Sequence, residues 1–282
     1  IYNLNIDGYN IWAKAEFLNP SGSVKDRPIY NILKNAFDKN ILKKGDTVVE
    51  ATSGNAGISL AMFASQMGLE CVIVMPSNMS IERKKILQTY GAKLIEVNPG
   101  DFDGAIKLRD KLSEKNGWFN TNQFNNQLNL LSHYNGTGVE IIYHSEHHCF
   151  KPTALILGTG TGGTLMGAGK VLKEQFSQIQ IVAVEPSESP VMSGGQSGLH
   201  GIQGIGDGSK FMVDLSFVDK IITVSTSDAT DMMVRLSKEF GLFCGISSGA
   251  NILASIQYCK ETGFDNVVTI LCDRGERYLS CF

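Results

Sequence analysis

Hydrophobic positions along this chain come in two rhythms. Short unbroken runs stand at 46–51 (DTVVEA), 71–76 (CVIVMP), 93–99 (KLIEVNP), 153–160 (TALILGTG), 179–186 (IQIVAVEP) and 266–273 (NVVTILCD). Among them, NAGISLAMFASQMG, SIERKKILQTYG, DGAIKLRDKLSEKNG, TLMGAGKVLKEQF, DATDMMVRLSKEFG and GANILASIQYCKETG repeat apolar residues every three or four positions. The runs predict strands buried on both faces, and the periodic segments predict helices. Their alternation predicts parallel α/β layers. In such layers ligands bind at the carboxyl ends of strands, where turns lead into helix N-termini. No internal repeat or low-complexity linker interrupts the pattern. A stretch rich in Asn, Gln and His over 116–150 is the expected passage between two lobes.

Composition narrows the function. The 282 residues, 43% of them hydrophobic, suffice for one large or two small cores. The net charge is -3, with 25 Lys and Arg dispersed among 28 Asp and Glu, so no basic track for nucleic acid exists. No apolar run reaches the ~18 residues of a membrane span. The first residue is Ile1 rather than Met, so some N-terminal sequence is expected to be missing, and no signal segment is visible. Cys71, Cys149, Cys244, Cys259, Cys272 and Cys281 form no CxxC, and several sit in apolar runs. They read as buried free thiols of a reducing compartment, the cytoplasm.

The chemistry begins at NPSGSVKDR (19–27), where Lys25 follows small residues and turn formers. A surface lysine has no need of such an approach; one that meets something bulky and planar does. Three glycine-rich turns accompany it. EATSGNAG (50–57) offers the Thr52 and Ser53 hydroxyls, the Asn55 amide and free N–H groups at a helix start. That is a cradle for a carboxylate or phosphate, or an ordinary N-cap. GTGTGGT (158–164) contains GxGxxG at Gly158, Gly160 and Gly163, and Glu185 ends the next strand 22 residues after Gly163. This is the dinucleotide fingerprint. Yet Thr159, Thr161 and Thr164 suit a phosphate monoester better than a pyrophosphate, which needs bare backbone. A purely structural turn is the third reading. Val171 after Gly169-Lys170 excludes a standard triphosphate loop.

GISSG (245–249) matches the GxSxG nucleophile elbow, but no histidine follows His200, so a triad in that order fails. Ser247 remains at a helix N-terminus, as a cap or a partner for a ligand heteroatom. HSEHH (144–148) lacks HExxH spacing and reads as an exposed polar connector rather than a metal site. His133 and His200 stand alone, and Asp103 and Asp110 lie on a polar helix face.

A lysine among small residues, a phosphate cup, a carboxylate cradle and a helix-terminal serine together describe a pyridoxal phosphate enzyme. Its aldehyde needs a lysine for a Schiff base, its phosphate an anchor, and its ring nitrogen one partner. The chain resembles the cysteine synthase (O-acetylserine sulfhydrylase) family of fold-type II pyridoxal phosphate enzymes. NPSGSVKDR, EATSGNAG, MPSNMSIERKKIL, NQFNN, GTGTGGT, EP followed by SGG, HGIQGIG, GISSGA and CDRGERYLS carry the resemblance in the family's order over nearly the whole chain. LFCGISSGA and LCDRGERYLS look like B-type isozymes, HGIQGIG like the A-type.

The resemblance implies a two-lobed, tryptophan synthase β-like α/β fold with the cofactor between the lobes. A smaller, mobile lobe would span 20–130, and a larger one 1–19 plus 131–282. Lys25 would bear the cofactor and move the substrate's Cα proton. Asn55 would bond the cofactor's 3′ oxygen, Gly160, Thr161, Gly162, Gly163 and Thr164 its phosphate, and Ser247 its ring nitrogen. Thr52, Ser53, Asn55 and Gln123 would receive the substrate carboxylate. The implied reaction is a β-replacement that makes L-cysteine from O-acetylserine and sulfide through an α-aminoacrylate. A homodimer, and serine acetyltransferase as a protein partner, are also implied; nucleic acid and membrane are not.

Two positions depart from the family's commonest pattern. Ala56 stands where threonine is usual, and Asp207 where a small residue is usual. A carboxylate at 207 would repel sulfide, yet it could position or deprotonate water. It therefore points to catalysis by Asp207 in a second activity, release of hydrogen sulfide from cysteine. Core-only cystathionine β-synthase activity, and an Asp207 that faces solvent and bonds a turn amide, are the alternatives.

Overall fold

The structure, a computed structural model, describes residues 1–281. The chain opens with a hairpin of β1 (Tyr2–Ile6) and β2 (Tyr9–Ala15), paired antiparallel around Asp7 and Gly8. Both turn residues have positive φ, 53° and 85°, the backbone that matches a two-residue turn to strand twist. Helix α1 (Asp26–Asp38) starts directly after Lys25. A parallel unit follows: β3 (Thr47–Ala51), α2 (Asn55–Met67), β4 (Glu70–Pro76), α3 (Ile81–Thr89), β5 (Lys93–Val97), α4 (Phe102–Asn116) and β6 (Phe119–Asn120). Its strands lie in the order β5-β4-β3-β6.

Next come α5 (Gln127–Ser132), a π-helical turn (His133–Gly138) and α6 (Val139–His147). The chain ends in β7 (Ala154–Gly158), α7 (Gly163–Gln175), β8 (Gln180–Pro186), β9 (Lys220–Val224), α8 (Thr226–Phe240), α9 (Ile246–Thr262), β10 (Val267–Leu271) and a 3-10 segment, Gly275–Cys281. The second sheet is ordered β1-β2-β10-β7-β8-β9, and only β1 runs antiparallel to its neighbour.

The unbroken apolar runs have partners on both faces. In β7, Leu155 and Leu157 pack with Leu165, Met166 and Leu172 of α7, while Ala154 and Ile156 pack with Ile252 and Ile256 of α9. In the smaller sheet, Val48, Ile73 and Met75 share a core with α2, and Val49, Val72 and Val74 share one with α4. Two covered faces explain the absence of polar alternation, and each fully buried Leu, Ile or Val contributes about 1.5–3 kcal/mol.

The strands and helices expected from the apolar pattern are present. The hairpin, α1, β6 and β9 lie outside that pattern. Within the 116–150 stretch the chain is helical from residue 127 to 147, where Asn126 caps α5 by accepting from Leu128 N at 3.0 Å. HSEHH closes α6, with the rings of Tyr143 and His147, and of His144 and His148, stacked at 6.0 Å between centroids. Among the described residues no group of three or more His, Cys, Asp or Glu is placed to hold a metal. Nor is any helix long and apolar enough to cross a membrane. All six cysteines are free; Cys149 and Cys281 are exposed, against expectation. Burial pushes the Cys71, Cys244 and Cys272 thiols up to about 12, which keeps them protonated.

Candidate active site

The turns after β3 and β7, the 204–207 loop, the start of α9 and Lys25 converge on one cleft with a side pocket. The turn after β7 carries Gly160 to Thr164 into α7, passing through Gly162 at φ 84°. Neighbours press on it from behind. A side chain at 160 would meet the Gly204 carbonyl oxygen at 2.6 Å, and one at 162 would meet Val213 at 2.7 Å. The turn and the N-terminus of α7 line the cleft, where a helix N-terminus favours an anion.

The threonines are held for donation. Thr161 Oγ1 accepts from Gly163 N at 3.2 Å and from Asn129 Nδ2 at 3.0 Å, which leaves its own hydrogen free. Thr164 Oγ1 lies 3.2 Å from His133 Nε2, and His133 Nδ1 lies 2.9 Å from Thr137 Oγ1. Burial pushes His133 well below the usual imidazole range, so the ring stays neutral. His133 is therefore not isolated: the π-helical turn sets it behind the cup.

Lys25, Asn55 and Ser247 line the same cleft as the cup. Burial lowers the Lys25 amine, and Asp207 offsets part of that effect. A lysine so placed reaches its neutral, nucleophilic form at lower pH than a free one. Ser247 is buried in the first turn of α9 and presents a neutral hydroxyl. Glu185, which a dinucleotide would need for its ribose, is spent elsewhere. It is buried and accepts from Met192 N at 2.7 Å, Ser193 N at 2.9 Å and Ser193 Oγ at 2.5 Å. An anion cup with donor hydroxyls, a depressed lysine and a neutral serine fit pyridoxal phosphate and not a dinucleotide.

The side pocket brings Thr52, Ser53, Gln123 and Asp207 up to Lys25 and Asn55. Helix α2 points its N-terminus here from Gly54, whose φ is 144° and whose N–H donates to Thr52 Oγ1 at 3.0 Å. The Arg83 side chain fills the space where a Gly54 side chain would stand. Gly54→Ala is expected to destabilise the fold by about 2–4 kcal/mol, through a strained φ and an overpacked contact, as read by urea unfolding. Asp207 and Ser53 also line the mouth outside this pocket, together with Asp103, His200 and Gln203. Burial raises the Asp207 carboxyl above its usual range, with Lys25 and His200 pulling it back. His200 Nε2 meets the Gly206 carbonyl at 3.0 Å, so it braces the loop that carries Asp207.

A supporting layer went unread in the sequence. Glu50, buried at the end of β3, accepts from Ala51 N at 2.8 Å, Gln123 N at 3.0 Å, Arg109 Nη1 at 2.7 Å and the Thr121 hydroxyl. It fixes Gln123 opposite the Thr52 turn. Its signal was a lone carboxylate in an otherwise apolar strand, which must find partners when buried. Behind Asn55 the C-terminal segment closes in. Asn55 Nδ2 donates to Asp273 Oδ2 at 2.7 Å, and Arg277 donates to both the Asn55 and Ser21 carbonyl oxygens. Asn55 keeps one amide hydrogen for the cleft.

A model of the family described as "Pyridoxal-phosphate dependent enzyme" matches residues 3–273. A cysteine synthase of Staphylococcus aureus is 44% identical over 275 residues, covering 96% of this chain and 88% of the relative. The crystal structure of a hydrogen sulfide-producing enzyme from Fusobacterium nucleatum superposes with a TM-score of 0.91 at 39% identity, covering 96% of this chain and 83% of that one. The crystal structure of a cysteine synthase from Entamoeba histolytica gives 0.88 at 39%, with 98% and 82% covered. With this cleft and these relatives, the chain belongs to the cysteine synthase family of pyridoxal-phosphate-dependent enzymes.

Proposed function

We propose that the protein makes L-cysteine from O-acetylserine and sulfide by β-replacement, with Lys25, the 160–164 cup and the 52–56 turn as its working parts. The observation that carries this reading is their convergence on one cleft. When bound, pyridoxal phosphate supplies an aldehyde for the amino group and an electron sink for charge developing at the substrate's Cα. Gly160 to Thr164 would hold its phosphate, the free amide hydrogen of Asn55 would be available to its ring, and Ser247 would offer the ring nitrogen a neutral hydroxyl. Thr52, Ser53, Asn55 and Gln123 bind the carboxylate at the α2 N-terminus. The Lys25 amine takes the Cα proton as acetate leaves and returns it once sulfide has added.

Phe124 helps exclude water. It walls the side pocket and packs against Phe102 and Phe211, at 5.4 and 4.6 Å between centroids. Residues 20–130 act as the mobile lobe that carries the carboxylate turn toward the cup; in support, that turn and Gln123 both follow strands of the smaller sheet.

Asp207 favours a second reading, in which L-cysteine and water give L-serine and hydrogen sulfide. Its carboxylate borders both the side pocket and the solvent-filled mouth, where it can take a proton from the water whose oxygen replaces sulfur at Cβ. Sulfide accounting with the cofactor-loaded protein separates the two. Sulfide consumed and cysteine formed from O-acetylserine establishes the synthase. Sulfide released from L-cysteine alone, with little synthesis, overturns it, in favour of the hydrolytic activity where L-serine accumulates and of elimination where pyruvate does.

A further inference from the structure

Arg83 lies on α3 with 1% of its surface exposed. Its guanidinium joins pieces of chain that are remote in sequence. Nη1 donates to the Gln203 side-chain carbonyl, and Nη2 stands 3.6 Å from Asp273 Oδ2. Its carbon centre sits 4.4 Å over the Tyr278 ring, while its stem fills the space beside Gly54. The same Asp273 oxygen accepts from Asn55 Nδ2 and from the Tyr278 hydroxyl, each at 2.7 Å. Gly54 belongs to the carboxylate turn. Gln203 precedes Gly204 and Asp207, which form the opposite wall of the side pocket.

A buried guanidinium is a poor way to fill a core, since apolar side chains of similar volume do so at least as well. What it offers is a rigid fork that holds two partners at a fixed separation. We propose that Arg83 is a positioning residue for the amino-acid site: it sets the spacing between the 52–56 turn and the 203–207 loop. It lines neither the cleft nor the side pocket. The proposal rests on the reading of the 52–56 turn as the carboxylate site.

Two variants test it. Arg83→Lys keeps a positive charge beside Asp273 and Tyr278 but cannot serve Asp273 and Gln203 together. Gln203→Leu removes the acceptor and leaves the Arg83–Asp273 pair in place. On the holoenzyme one measures calorimetric binding of L-alanine, an amino acid with no leaving group at Cβ, and KM and kcat for O-acetylserine. Each variant is expected to weaken alanine binding and raise KM by about tenfold, with a smaller change in kcat, and the double variant to be no worse than either single one. Variants that melt earlier yet bind alanine as the wild type does would make Arg83 a packing residue only and overturn the proposal. If Arg83→Lys does not fold, Gln203→Leu alone decides. Wild-type holoenzyme that binds no amino acid overturns the carboxylate reading, and this inference with it.

Discussion

Replacing Lys25 with alanine is expected to cut turnover by about 10³-fold or more, because in the proposed mechanism one amine both bears the cofactor and moves the Cα proton. The structure gives that amine no substitute. His133 is buried behind the cup with both ring nitrogens engaged by threonines, and Asp207, with its raised carboxyl, is a weak base beside an amine. Cys272 also lines the cleft, but its thiol is pushed up to about 12 and stays protonated. The phosphate cup is untouched by the change, so Lys25→Ala should still bind the cofactor, now without a covalent link. Borohydride reduction followed by mass spectrometry checks this directly. The wild type should carry the cofactor mass on the Lys25 peptide, and the variant on no peptide. Cofactor retained covalently by the variant would show that another lysine serves, and would remove the basis for the proposed mechanism.

Replacing Asp207 with alanine is expected to abolish sulfide release from L-cysteine while synthesis from O-acetylserine persists. Water is a poor nucleophile and needs a base at the neck of the pocket; sulfide needs none and is repelled by a carboxylate. Unchanged release would sink the hydrolytic reading. The pH behaviour follows with a definite sign. Asp207 must be ionised to act, and its carboxyl is raised above 3.8, so hydrolysis should rise with pH through that higher value. The acidic limb should vanish in Asp207→Asn. Stability runs the other way. A carboxyl raised by folding contributes stability that is fully present below 3.8 and lost as pH rises through the folded value. Stability therefore falls as pH rises from 3.8 toward that folded value. Asp207→Asn should melt at a higher temperature than the wild type near pH 7, and the gain should shrink toward pH 4.

Much of this arrangement was legible in the chain itself. The strands were readable because both faces are buried and nothing polar interrupts them. The turns that meet at the cleft were readable because glycines, threonines and an asparagine stand at helix starts. The rest was hidden for physical reasons. The hairpin strands are interrupted by asparagines and a lysine, so no unbroken run marks them, whereas β9, KIITV, carries a run of the same kind as β3. The π-helical turn places His133 against Thr164 across 31 residues, and local sequence does not encode such a meeting. Arg83, Asp273 and Arg277 look like ordinary charges until tertiary packing buries them together. Glu50 is buried apart from them, against Arg109, and only its place in an apolar strand hints at it.

The contact of Asp273 and Arg277 with Asn55 and Ser21 also orders events in time. Synthesis proceeds at about 5–20 residues per second and lets N-terminal units fold first, so the smaller sheet can close its cores long before residue 273 exists. The loops around Lys25 and Asn55 cannot be locked until the segment that bonds them has left the ribosome. The cleft around Lys25 and Asn55 is therefore completed later than the cores of the smaller sheet, as a second stage of the same folding process.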